Sequence, residues 1–286
     1  MNFRSDLALE CKEPTMRQTQ GLLVEEETHA AYKLTRLKVR SEEAARALRK
    51  PMGHYITVEL PPLGEYANVF GDGMECVARE LRALLPGEGA ILVAGLGNSG
   101  MTPDALGPRC CAQVLATRHI TRELAKSAGL GRLRAVACLT PGVLGRTGIE
   151  SGALIAAALR AVCPAAVITV DALAARKLSR LGCTVQISDS GIVPGSGVGN
   201  ARAELSAQNL GVPVIALGVP TVVDAATMIA DLTQGTHTPT PECENWMVTP
   251  REIDLLIARA AKLCAMAINR ALQPHLSVED FLELTE

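Results

Sequence analysis

Five apolar runs dominate the chain between residues 91 and 219: ILVAGLG (91–97), RAVACLT (134–140), AAVITVDAL (165–173), CTVQISD (183–189) and VPVIALGV (212–219). Runs this short and this apolar match strands covered on both faces. Segments long enough for helices separate most of them, and strands alternating with helices imply a parallel or mixed sheet. Hydrophobic residues make up 48% of the chain, yet it holds one Trp, three Tyr and three Phe, so the core must be built mainly from Ala, Val, Leu and Ile. The expected fold is α/β, a mostly parallel or mixed sheet flanked by helices over residues 21–286. A polar leader or arm is expected over residues 1–20.

Local signals mark the helices. GDGMECVARELRALL (71–85) has helical apolar spacing and ends at Pro86-Gly87. Thr102-Pro103-Asp104 resembles a helix start, with a helix expected on to about residue 125. TGIE (147–150) and Thr249-Pro250-Arg251-Glu252 fit capping boxes, and Thr221-x-x-Asp224 fits a cap for a helix to about residue 232. AAVITVDAL reads as a strand ending at Asp171. The stretches 22–39 and 54–60 read as strands or a strand–helix mixture.

Charge and cysteine content exclude several classes. A net charge of -2, from 28 basic and 30 acidic residues, gives no attraction to DNA or to an anionic membrane, and so few rings argue against base stacking. No apolar stretch spans a bilayer and no signal peptide is evident. The nine cysteines are scattered, with no CxxC pair, as expected for reduced packing thiols in a cytoplasmic protein. No cofactor and no metal ligand set is expected: GxSxG, GxxxxGK[ST] and HExxH are all missing.

Gly95-x-Gly97-x-x-Gly100 has dinucleotide-loop spacing, but the acidic residue expected about 20 positions on, at the end of the next strand, is missing. Two acids stand out instead. Asp104 lies just past the carboxyl end of the 91–97 strand, and Asp171 follows VITV. If those strands are neighbours, both acids meet at one sheet edge, where two close carboxyls share a proton and can activate water. Each has a structural alternative: Asp104 complementing a helix dipole, Asp171 capping the next helix. Gly97 and Asn98 would shape the site beside Asp104. The glycine-rich stretch 188–205, with Gly195, Ser196, Gly197 and Asn200, could clamp a phosphate, orient an extended peptide or stabilise an oxyanion, or be a surface loop without a ligand.

GLGNSGMTPDALGP, TRHI, PGVLGRTGIE, VDALAAR, VQISDSGIVPGSGVGN, GVPVIALGVPTVVDA and MVTPREID occur in that order over residues 95–254. Together with RSDLALECKE near the start, they resemble the germination protease family of endospore-forming bacteria. The resemblance implies an endopeptidase that degrades small acid-soluble spore proteins in the spore core. It also implies a homotetramer and an aspartic-type site at Asp104 and Asp171. The fold implied resembles the phosphorylase/hydrolase-like fold of hydrogenase maturation proteases. A zymogen is implied too, cutting itself near Asp6–Leu7. Val193 stands where some relatives carry His, so no histidine role is assigned there. Two other readings use the same residues: a metal-dependent maturation-type protease, and a non-catalytic homologue that binds spore proteins.

Overall fold

Each of the five apolar runs becomes a strand. The computed structural model describes residues 5–10, 19–65, 69–199, 202–234, 236, 240, 242–243 and 246–285. The first half contains β1 (Leu22–Thr28), β2 (Lys33–Val39), α1 (Glu42–Leu48), β3 (Gly53–Glu59), α2 (Asp72–Leu84) and β4 (Ile91–Gly95). There follow α3 (Leu106–Cys111), α4 (Arg122–Ser127), β5 (Val136–Leu139), α5 (Leu144–Thr147), α6 (Ser151–Val162), β6 (Ala166–Ala175) and β7 (Thr184–Ser188). The chain continues through α7 (Ala207–Leu210), β8 (Val214–Asp224), α8 (Ala225–Leu232), β9 (Met247–Val248), α9 (Ile253–Leu272) and α10 (Val278–Thr285).

These strands form one mixed sheet in the order β1-β2-β3-β7-β8-β6-β4-β5, with β9 on β8. Strands β5, β4, β6 and β8 run parallel, while β7, β3, β2 and β1 are joined by antiparallel pairings. Strands β4, β6, β7 and β8 are buried on both faces, as their uninterrupted apolar runs require, while the edge strand β1 is largely exposed. Ile91, Val93, Ile168 and Val170 face a large core with α2, α3 and α9, and Leu92, Ala94 and Val167 face a smaller one with α6.

Several local expectations give way to tertiary contacts. The stretch 22–39 is a plain antiparallel hairpin of β1 and β2. The helix expected from 102 to 125 is broken: Thr102–Asp104 is a 3-10 turn, α3 stops at Cys111, and α4 starts at Arg122. Buried Asn269 of α9 is one reason. Its Oδ1 accepts from Leu115 N–H at 2.9 Å and its Nδ2 donates to Gln113 O at 3.1 Å, taking groups that a continuing helix would use.

The capping boxes also differ. Thr147 ends α5, and its hydroxyl donates to Val143 O at 3.2 Å and Ile149 O at 2.9 Å, leaving Glu150 as the cap of α6 without a side-chain bond. Thr221 lies inside β8, and Asp224 alone caps α8, its Oδ1 accepting from Thr227 N–H at 2.9 Å. Helix α9 begins after Glu252, again with no side-chain cap bond. The described cysteines are all free, but Cys163 is exposed rather than packed.

Replacing Asn269 by Leu leaves two half-buried backbone groups, Leu115 N–H and Gln113 O, unpaired, at a cost of up to about 1–3 kcal/mol each. Denaturant unfolding of Asn269→Leu should show a loss of about 2–6 kcal/mol for the two groups together with an unchanged slope, and undiminished stability would contradict the role given to this side chain.

Candidate active site

Strand β4 ends at Gly95, and the chain turns sharply there to bring Asp104 back over the strand end. Gly97 makes the turn with φ +107, and a Cβ on it would sit 2.1 Å from Asp104 O, so no other residue fits without moving the acid. The Asn98 N–H donates to Asp104 Oδ2 at 2.8 Å. From the other side, the Thr221 hydroxyl donates to Pro103 O at 2.8 Å and ties the turn to β8. The Asn98 side chain faces away from the acid, accepting from Gly100 N–H at 3.0 Å and Arg146 Nη1 at 3.3 Å.

Asp171 is not at a strand end. It sits in the middle of β6, opposite Gly218 of β8, just past the last β4 pairing at Val170. The expectation of a terminus failed because β6 keeps β8 as a neighbour up to Ala175 after β4 has stopped. Beyond Leu96 N–H, which donates to Val170 O at 2.8 Å, the β4-side edge of β6 is open to other partners. Asp171 Oδ1 accepts from Ala172 N–H at 2.9 Å on that edge. Asp104 and Asp171 line one cavity of about 520 Å³, together with Gly97, Asn98, Val193, Gly195 and Gly197.

The described N-terminal residues also reach this cavity. Asp6 N–H donates to Ala174 O at 2.9 Å, and Asp6 Oδ2 accepts from Ala174 N–H at 2.8 Å. Leu7 is fully buried against Leu173 and Ala175. Glu10 accepts from Arg176 N–H at 2.6 Å and Lys177 N–H at 2.9 Å, with Arg180 Nε 3.5 Å away. The glycine-rich stretch meets the same segment: Ser196 Oγ donates to Asp6 Oδ1 at 2.8 Å, and a Cβ on Gly197 would lie 2.1 Å from Asp6 Oδ2. Asn200 lies outside the described residues.

Burial and like charge set the protonation order. Burial pushes the Asp104 carboxyl above the usual aspartate range, partly offset by the Asn98 N–H. Burial pushes Asp171 up much further, and the charges of Asp104 and then Asp6 add to it. Asp104 therefore ionises first, beside a neutral Asp171, and Asp171 holds its proton against that charge. Cys110 and Cys111 are buried packing residues. Burial raises the first thiol, and a hydrogen bond with Cys138, then burial, raises the second. Among the described residues no three His, Cys, Asp or Glu side chains converge to hold a metal ion.

Four residues at this place escaped sequence reading: Glu10, Lys50, Arg180 and Gln186. Gln186 carried the one usable signal, an amide inside the apolar run CTVQISD, where it must find partners. Lys50 and Arg180 sit in ordinary basic stretches and carried none.

Two acids of different protonation, one on the turn after β4 and one inside the neighbouring β6, in a cavity reached by a piece of the chain, suit hydrolysis of a peptide. The germination protease family model matches residues 4–235. A germination protease of Caldanaerobacter subterraneus subsp. tengcongensis is 40% identical, with 99% of this chain and 98% of the relative covered. One from Clostridium perfringens is 38% identical, covering 98% of each, and one from Priestia megaterium is 41% identical over 80% of this chain and 66% of its own length. Among solved structures, the hydrogenase maturation protease HycI of Thermococcus kodakarensis covers 66% of this chain and 98% of its own, at 18% identity and a TM-score of 0.37. The chain belongs to the germination protease family. It is thus a hydrolase, an endopeptidase of spore germination. No described helix is long and apolar enough to cross a membrane.

The raised Asp171 carboxyl has a signed consequence for stability. Its folded-state pKa lies above the unfolded one, so its contribution is fully present below the ordinary aspartate range and is lost as pH rises toward the folded value. Asp171→Asn should therefore gain stability over the parent as pH rises, with a limiting slope of about 1.4 kcal/mol per pH unit. Denaturant melts across acid to neutral pH measure it, and a gap that narrows with rising pH would mean an ionised, stabilising Asp171.

Proposed function

We propose that this chain is an aspartic-type endopeptidase that cuts small acid-soluble spore proteins in the spore core, using Asp104 and Asp171 as a water-activating dyad. We further propose that it first cuts its own Asp6–Leu7 bond as a zymogen, leaving residues 1–6 as the propeptide, and works as a homotetramer. The observation carrying this reading is that Asp6 lies at the cavity lined by both acids, held along the open edge of β6 as an extended peptide would be.

In the reaction, ionised Asp104 takes a proton from water as the water oxygen attacks the Asp6 carbonyl carbon. Protonated Asp171 then gives its proton to the Leu7 nitrogen as the carbon–nitrogen bond breaks. The opposed protonation states match the order that burial and mutual charge impose on the two acids. Leu7 fills a dry pocket beneath the bond, and the buried Glu10 carboxylate sets the register three residues further on.

Purified full-length chain, incubated alone and with a small acid-soluble spore protein, should lose residues 1–6 and then degrade the substrate. Asp104→Asn and Asp171→Asn should each slow both reactions by about 10³-fold, within the range of a lost general acid or base. The parent's rate should fall at low pH as Asp104 takes up its proton, and again at high pH as Asp171 loses its own. Mass spectrometry follows both cleavages, and full activity in either variant removes the dyad.

A further inference from the structure

The Asp6 carbonyl oxygen, where negative charge would develop during self-cleavage, has two donors on it. Lys50 Nζ lies at 2.9 Å and Gln186 Nε2 at 3.1 Å. The same Gln186 side chain accepts from Ala8 N–H through Oε1 at 2.7 Å. One amide thus grips the main chain on both sides of Leu7, the pattern expected of a group that reads an extended peptide backbone.

Local structure explains how both donors arrive. Helix α1 ends at Arg49, left-handed at φ +53, and Lys50 N–H closes the end by donating to Ala45 O at 3.1 Å. That reversal aims the Lys50 side chain back over β7. Gln186 stands in the middle of β7, buried between Val185 and Ile187, where an amide is costly to desolvate unless both its ends are bonded. The main chain of residues 6 and 8 supplies those bonds.

We infer that Lys50 and Gln186 are catalytic residues forming the oxyanion-binding pair of this peptidase, on self-cleavage and on protein substrates alike. The inference rests on Asp6–Leu7 being the bond cut. When water adds to the Asp6 carbon, the carbonyl π pair moves onto the oxygen. The Lys50 ammonium and the Gln186 amide N–H stabilise that charge until it returns to reform the carbonyl as Leu7 nitrogen leaves. The glycine-rich stretch is not placed for this work, because Ser196 and Gly197 meet the Asp6 side chain. It orients the residue before the bond, while Lys50 and Gln186 act on the bond itself. Donors fixed before the reaction need no reorganisation as charge develops, and losing one such donor costs about 10²–10³-fold in rate.

The test uses the full chain and its first-order self-cleavage rate, with Lys50→Met, Lys50→Arg and Gln186→Glu. Gln186→Glu keeps the acceptor for Ala8 and removes the donor. Hydrogen exchange at the Ala174 amide, bonded to Asp6, reports separately whether the segment stays docked. Lys50→Met and Gln186→Glu should each slow cleavage by about 10²-fold or more with Ala174 still protected, while Lys50→Arg should stay within about tenfold of the parent. Unchanged rates with the cut still mapping to Asp6–Leu7 overturn the inference alone. A rate loss that merely follows lost Ala174 protection makes both residues anchors and overturns it too. A parent cut elsewhere, or cleavage by Asp104→Asn, brings down the underlying reading and the inference with it.

Discussion

Strand β4 stops at Gly95 while β6 runs on to Ala175, and the backbone of β6 thereby left without a neighbour shapes everything at this site. Buried N–H groups must find acceptors. On this edge they find carboxyl oxygens: Asp171 for Ala172 N–H, Asp6 for Ala174 N–H and Glu10 for Arg176 N–H. Alternate residues of a strand present their N–H groups to the same side, so three acids are drawn into one row. Asp104 arrives from across the gap on the turn that ends β4. Negative charge crowded in a dry place retains a proton, and Asp171, pushed up by burial and by the charges of Asp104 and Asp6, keeps it.

The same open edge gives a peptide somewhere to lie. The chain's own residues 6–10 lie there: the Asp6 main chain pairs with Ala174, Leu7 drops into the pocket beside Leu173 and Ala175, and Glu10 reaches the N–H groups of Arg176 and Lys177. The rest of the molecule keeps this geometry rigid. β6 is flanked by β8 along its length and backed by the large core of α2, α3 and α9. Thr221 on β8 holds the turn that carries Asp104, so both acids are referred to one pair of neighbouring strands. A site referred to paired strands in this way is more exact than one carried by loops alone.

Much of this framework was legible because it depends on local pattern. Uninterrupted apolar runs marked the strands, and the glycines around Leu96 marked a turn at a strand end. That was enough to single out Asp104 and Asp171 before any coordinates. What was not legible depends on distant partners. Thr147 and Thr221 read as helix caps from spacing, yet one bonds within its own short helix and the other bonds Pro103, 118 residues away. Asn269 breaks a helix 154 residues before it. Lys50 looked like one more surface cation, and its partner Asp6 lies 44 residues earlier with nothing between them to signal the contact.

The central claim is that Asp104 and Asp171 face one pocket with a single proton retained on Asp171. Infrared spectroscopy of the full chain at neutral pH tests it most directly, since a protonated carboxyl absorbs apart from carboxylates and amides. The account predicts a protonated-carboxyl band at neutral pH that vanishes in Asp171→Asn and persists in Asp104→Asn. A spectrum without such a band, or one unaffected by Asp171→Asn, would contradict it.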